Sequence, residues 1–200
     1  MPIDPSTLDA DPLGQLRAWM AEAAENEEPM PDAMALATAT ADGAPSVRMV
    51  LLRGIEADGL RFFTNRSSRK GRELAVNQRA AAVLHWPRAN RQVRVAGSVE
   101  PLDDALSRAY WDTRPRGSRL AAWASVQGSR IESREAMEVR VAEMDDQFPG
   151  EEIPLPPFWG GYRLLPTVWE FWESREDRLH DRVEYVPDAG GGWRRHRLQP

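Results

Sequence analysis

Residues 34–65 read MALATATADGAPSVRMVLLRGIEADGLRFFTN. MALATATA, SVRMVLLRGI and LRFFTN are three β-rich runs, separated by Asp42-Gly43 and Asp58-Gly59. Such dipeptides favour tight hairpin turns because glycine accepts a positive φ. Three runs joined in this way predict an antiparallel meander.

Upstream of these runs, Asp11-Pro12 supplies a helix cap followed by proline at the first helical position. Leu13, Leu16, Trp19 or Met20, and Ala23 then recur at helical spacing, so an amphipathic helix is expected to end near Glu27. After the meander, RSSRKGRELAVN predicts a short helix capped by Ser67 or Ser68. AAAVLHW and RQVRVAGSVEPL return to strand character, and Asp103 to Phe148 turns helical with interruptions at Pro115 and Gln127-Gly128. Beyond the loop PGEEIPLPPFWGG, three further strands are expected in YRLL, TVWEFWE and RLHDRVEYV, and a last one in WRRHRLQP. The reading is one α+β domain over residues 1–200, with a mostly antiparallel sheet that closes into a barrel or sandwich and a flexible segment at 1–10.

Composition narrows the function. The 200 residues are enough to bury roughly 70% of the surface of the unfolded chain. With no cysteine, thiolate chemistry, disulfides and cysteine-ligated metals are excluded; with only His85, His180 and His196, no metal site is expected. The start MPIDPSTLDADPL has neither a basic region nor an apolar one, and no run approaches the roughly 20 apolar residues of a membrane span, so a cytoplasmic protein is expected. A net charge of -5 argues against a nucleic-acid partner. Any anion site must be a local cluster of basic groups. Eight tryptophans imply a large core, a subunit interface or stacking platforms.

Four clusters can carry chemistry. In RLHDRVEY, read as a strand, Arg178, His180, Arg182 and Glu184 share one face while Leu179, Asp181, Val183 and Tyr185 share the other. By alternation alone that basic face is solvated; directly after the aromatic pair Phe171-Trp172 it is also suited to a ligand. RSSRKGRE gathers Arg66, Arg69, Lys70 and Arg72 around two serines at a helix start, which suits a phosphate. Neither GxGxxG nor GxxxxGK[ST] is present, so the usual dinucleotide and P-loop cradles are absent. In YWDTRPRGS, Tyr110, Arg114 and Ser118 are spaced by four, but Pro115 breaks the helix, leaving either a loop that wraps an anion or an arginine-rich corner. In SVRMVLLRGI, Arg48 and Arg53 sit among apolar neighbours on opposite faces, serving two anionic groups or reaching water.

In order and spacing, RMVLLR, FFTNRSSRKGREL, RQVRVAG, YWDTRPRGS, AWASVQGSRI, PLPPFWGGYRL, FWESREDRLHDR and the terminal RLQP resemble the FMN-dependent pyridoxamine/pyridoxine 5'-phosphate oxidase family over nearly the whole chain. The resemblance implies a mostly antiparallel FMN-binding split β-barrel with peripheral helices, working as a homodimer with FMN across the subunit interface. It implies oxidation of pyridoxamine or pyridoxine 5'-phosphate to pyridoxal 5'-phosphate by hydride transfer to flavin N5, with O2 reduced to hydrogen peroxide. Carried over position by position, FMN contacts fall on Arg48, Arg53, Phe63, Thr64, Arg69, Lys70, Gln92, Gln127, Trp172 and Arg182. The substrate phosphate falls to Arg53, Tyr110, Arg114 and Ser118, while Arg178 and His180 face the reacting ring as the catalytic pair.

The chain departs from the family pattern at several places. Arg53 replaces the usual lysine, Phe63 a common tyrosine and Gly128 a common serine, and the basic N-terminal segment that covers the substrate in relatives has no counterpart in MPIDPSTLDADPL. Three rivals remain: a related flavin oxidase of phenazine biosynthesis, against which RPRGS and FWGG speak, a flavin-binding carrier or sensor without oxidase activity, and a purely structural dimer whose basic clusters are solvated surface.

Overall fold

The computed structural model of the protein describes residues 3–57 and 59–200. Helix α1 (Pro12–Glu25) is capped by Asp11, whose carboxylate accepts from the backbone of Leu13 and Gly14. Strands β1 (Ala33–Ala39), β2 (Pro45–Leu51), β3 (Gly54–Glu56) and β4 (Gly59–Asn65) follow. The expected run SVRMVLLRGI is therefore two strands broken at Leu52–Arg53. β2 pairs with β1, whereas β3 pairs with β4, so the meander is replaced by two hairpins. The turn before β4 lies partly outside the described residues at Asp58; Gly59 has φ +132°, and a Cβ there would stand 2.3 Å from the Leu164 carbonyl oxygen.

Helix α2 (Arg69–Val76), strands β5 (Arg79–Trp86) and β6 (Arg91–Pro101), helices α3 (Asp104–Thr113), α4 (Arg116–Ala124) and α5 (Arg134–Gln147), and strands β7 (Trp159–Glu173), β8 (Asp181–Pro187) and β9 (Trp193–Arg197) complete the order. The sheet runs β2-β1-β5-β6-β7-β4-β3, with β8 on β7 and β9 on β8, and every strand pairing among the described residues is antiparallel. The two ends of that path, β2 and β3, are joined by only Leu52 and Arg53. Two residues span about 10 Å at most, so the sheet has to curl until its ends meet. The result is the split barrel that was expected.

YRLL and TVWEFWE form one strand, not two. Pro166 lies between the two runs, but β6 shifts register between Ala96 and Gly97 opposite it, and a bulge tolerates a residue without a backbone donor. Gly97 permits this contact: a Cβ would lie 1.9 Å from the Leu165 carbonyl oxygen. β7 consequently pairs with β4 through its first half and with β8 through its second.

Inside the curl, Leu36, Phe62, Leu84, Val93, Phe171 and Val183 are fully buried, and α1 inserts Leu16 and Trp19 into the same core. Trp19 meets Phe171 edge-on at 5.1 Å. Burial of each such side chain stabilises by roughly 1.5–3 kcal/mol, which is why α1 belongs to the barrel. Residues 3–10 pack against the barrel. Ile3 and Leu8 are buried, and the Tyr185 hydroxyl donates to the Asp9 carbonyl at 2.8 Å. A second core, outside the curl, holds Trp111, Leu120, Ile153 and Trp159 between the helices and β7.

RLHDRVEYV is a strand only from Asp181. Glu176–Arg178 forms a 3-10 turn in which Asp177 and Arg178 have φ of 53° and 61°. Alternation therefore holds for Asp181, Val183 and Tyr185, which point inward, but fails for Leu179, which is 68% exposed. Among the described residues no helix is long and apolar enough to cross a membrane, and no group of His, Asp and Glu could hold a metal.

Candidate active site

A cavity of about 580 Å³ opens between β2, β4, the first turn of α2 and helices α3 and α4. Of the residues singled out in the sequence, Arg53, Phe63, Thr64, Lys70, Tyr110, Arg114, Ser118 and Gln127 all line it. Two of its cations lack the partners that buried cations ordinarily require.

The first is Lys70. The Ser68 hydroxyl caps α2 by accepting from the Gly71 backbone, and α2 packs so closely on the preceding turn that a Cβ at Gly71 would stand 2.1 Å from the Arg66 carbonyl oxygen. This close approach buries the Lys70 side chain. Its ammonium donates to Thr64 Oγ1 and Gln127 Oε1, each at 3.0 Å, and to Ser68 Oγ at 3.3 Å, all neutral oxygens. Burial, and then repulsion from Arg48, push its pKa below the usual lysine value. A buried cation with only neutral acceptors is a place for an anion.

Arg48 and Arg69 stand behind it on buried Glu73. Arg69 Nε reaches Glu73 Oε1 at 2.8 Å and Arg48 Nη2 reaches Oε2 at 3.3 Å, with Arg48 also donating to Thr38 Oγ1 at 2.5 Å and to Ser46. Burial acts to raise the Glu73 pKa, but hydrogen bonds from Ser46, Thr38 and Arg69 outweigh it and bring the group to about 2. Glu73 thus stays ionised and holds both arginines in place.

The second cation is Arg114. Pro115 ends α3 and α4 begins at Arg116, so a second helix replaces the expected loop, and Tyr110, Arg114 and Ser118 still face one cavity. The Arg114 guanidinium lies 5.1 Å from the Trp111 ring and 4.9 Å from the Trp159 ring. Its Nη1 is buried without a hydrogen-bond partner, and burial is the main cause that lowers its pKa. Next to it, Arg53 Nε donates to the Tyr110 hydroxyl at 2.8 Å while its Nη1 pairs with Asp32. Phe63, Tyr110 and Trp159 stack nearly parallel, Phe63 lying 4.1 Å from Tyr110 and 5.6 Å from Trp159. Trp159 of PLPPFWGG, with Met49, Asn65 and Met137, also lines the cavity, and none of these four carries a sequence signal that marks it as a site residue.

Gln92, Trp172, Arg178, His180 and Arg182 do not line this cavity. Gln92, Trp172 and Arg182 are register partners across β6, β7 and β8. The His180 ring lies 4.7 Å from Trp172. Arg182 grips Glu170 with two bonds of 2.9 and 3.0 Å and donates to the Gln199 carbonyl at 2.9 Å. One chain therefore carries two clusters, a cationic cavity and an aromatic-basic edge.

The family model described as pyridoxamine 5'-phosphate oxidase matches residues 20–148, and a second, described as the pyridoxine 5'-phosphate oxidase C-terminal dimerisation region, matches 159–200. The chain belongs to the pyridoxamine 5'-phosphate oxidase family. It is 52% identical over 190 residues to the pyridoxine/pyridoxamine 5'-phosphate oxidase of Cupriavidus metallidurans, covering 95% of this chain and 89% of that one. It is 51% identical to that of Anaeromyxobacter dehalogenans over the full length of both. PhzG from Burkholderia lata, solved with tetrahydrophenazine-1-carboxylic acid, superposes with a TM-score of 0.92 at 34% identity, covering 100% of this chain and 98% of the other. An FMN-binding oxidase-related protein from Nostoc punctiforme shares the fold, with a TM-score of 0.73 at 23% identity, over 92% of this chain and 97% of the other. By this membership the chain is an oxidoreductase of split-barrel fold.

Proposed function

We propose that the chain oxidises pyridoxamine 5'-phosphate or pyridoxine 5'-phosphate to pyridoxal 5'-phosphate with FMN as cofactor and O2 as terminal oxidant, as a homodimer. The observation that carries this reading is the pair of undercompensated cations, Lys70 and Arg114, in one cavity large enough for a flat ligand. Two phosphates, one from the cofactor and one from the substrate, would satisfy both. Lys70, Arg48, Arg69 and Thr64 would hold the first; Arg114, Arg53, Tyr110 and Ser118 would hold the second.

When bound, FMN supplies a two-electron acceptor that passes its electrons to O2, giving hydrogen peroxide. The chain's own residues bind and orient. Gripping the remote phosphate uses binding energy to hold the reacting carbon in place. Arg53, in place of lysine, offers a planar fork and is aligned by Tyr110 and Asp32. Gln92, Trp172, Arg178, His180 and Arg182 would reach the same site from the second copy, with Arg178 and His180 facing the substrate ring.

The close superposition on PhzG supports a second reading, a flavin oxidase acting on a reduced phenazine carboxylate. Oxygen uptake by the FMN-loaded protein separates the readings. Turnover of the two phosphate esters, and none of the unphosphorylated alcohol, is expected. Turnover of the phenazine precursor alone would favour the second reading, and bound FMN without turnover would leave a carrier.

A further inference from the structure

His180 sits on an irregular turn, and the turn decides which ring nitrogen can meet a ligand. Its Nδ1 accepts the backbone N–H of Arg175 at 3.1 Å. A nitrogen that accepts cannot also carry the proton, so the neutral ring carries it on Nε2. The donor is itself anchored. Arg175 Nε reaches Asp181 Oδ2 at 2.7 Å, and its Nη2 pairs with Glu173.

Both carboxylates are buried and held from behind, Asp181 by Arg197 at 2.7 Å and Glu173 by Arg91 at 2.9 Å. Glu173 ends β7 and Asp181 begins β8, so the Arg175 side chain ties the entrance of the turn to its exit. Between them Asp177 and Arg178 both hold positive φ, a conformation that two consecutive non-glycine residues keep only where the surroundings over-determine it. Trp172, 4.7 Å away and inclined at 48°, supports the imidazole on one side.

We propose that Arg175 is a positioning residue. Its backbone N–H, anchored by the Glu173–Asp181 clamp, keeps His180 in the Nε2–H tautomer, so that His180 meets the substrate as a hydrogen-bond donor to an oxygen and not as a base. The inference rests on the proposed reading in which His180 faces the substrate ring.

The test is nuclear magnetic resonance on the isotopically labelled, FMN-loaded protein, in buffer alkaline enough to keep imidazole neutral. A nitrogen–nitrogen coupling across the hydrogen bond between the Arg175 amide and His180 Nδ1, with Nδ1 unprotonated, is expected. A protonated Nδ1, or no coupling, overturns the proposal. Arg175→Ala keeps the amide but releases the clamp. It should weaken the coupling and lower kcat about tenfold, with KM and FMN retention within about twofold. An unchanged kcat overturns the proposal as well. Should that variant fail to fold, the wild-type coupling decides alone. Wild-type protein that shows the coupling yet oxidises neither ester sinks the functional reading and leaves the hydrogen bond standing.

Discussion

Replacing Arg114 by methionine separates binding from stability. Methionine keeps much of the volume between Trp111 and Trp159 and removes the charge. In the free protein two effects oppose. Losing the two ring contacts costs about 0.5–1 kcal/mol each, whereas removing a half-buried cation whose Nη1 has no partner relieves a desolvation penalty of similar size. The net change in stability should lie within about 1 kcal/mol, or a few degrees in Tm. In the complex nothing offsets the loss. A desolvated phosphate deprived of its guanidinium partner costs about 2–4 kcal/mol, which corresponds to a fall in kcat/KM of about 30- to 1000-fold. Oxygen uptake against ester concentration, with thermal unfolding of the same preparations, measures both. An unchanged kcat/KM together with a large fall in Tm would refute the reasoning and make Arg114 a structural cation.

Three further outcomes follow from the geometry. Glu73 has a folded pKa near 2 against 4.5 for the free side chain, so its contribution to stability is present above about pH 4.5 and is lost as the pH falls toward 2; urea unfolding between those pH values should show that loss in the wild type and not in Glu73→Gln. Gly71→Ala forces a Cβ against the Arg66 carbonyl and should lower both Tm and FMN retention, whereas Gly117→Ala, with nothing within 4 Å, should leave FMN retention unchanged. Arg178→Ala and His180→Ala should impair turnover far more than FMN retention, and Arg69→Ala the reverse; equal flavin loss in all three, read by absorbance after gel filtration, contradicts the division of roles.

The parts of the fold that were legible in the sequence are those set by local chemistry. Asp11-Pro12 starts a helix, Ser68 caps another and Pro115 separates α3 from α4 because caps and missing donors act within a few residues. What escaped is decided at a distance. Nothing in TVWEFWE announces that Pro166 is accommodated by a register shift at Gly97, and nothing in VLLRGI shows that its two halves pair at opposite ends of one sheet. The strand reading of RLHDR failed because Arg175 and two buried carboxylates hold an irregular turn there. The cationic cluster was legible as a set of residue types. Glu73, which orders Arg48 and Arg69, and Trp159, which flanks Arg114, were not, since a buried carboxylate and a core tryptophan look like any others in sequence.

Subunit complementation tests most directly the claim that the cationic cavity of one chain and the His180 edge of another form one active site. Arg114→Met and His180→Ala proteins, each impaired alone, are mixed, dissociated and allowed to re-pair, and oxidation of pyridoxine 5'-phosphate is measured. Random pairing makes about half of the dimers mixed, each with one intact site and one doubly altered, so about a quarter of the wild-type rate should return. A mixture no more active than its two parents would place both residues in the site of a single chain and contradict the account.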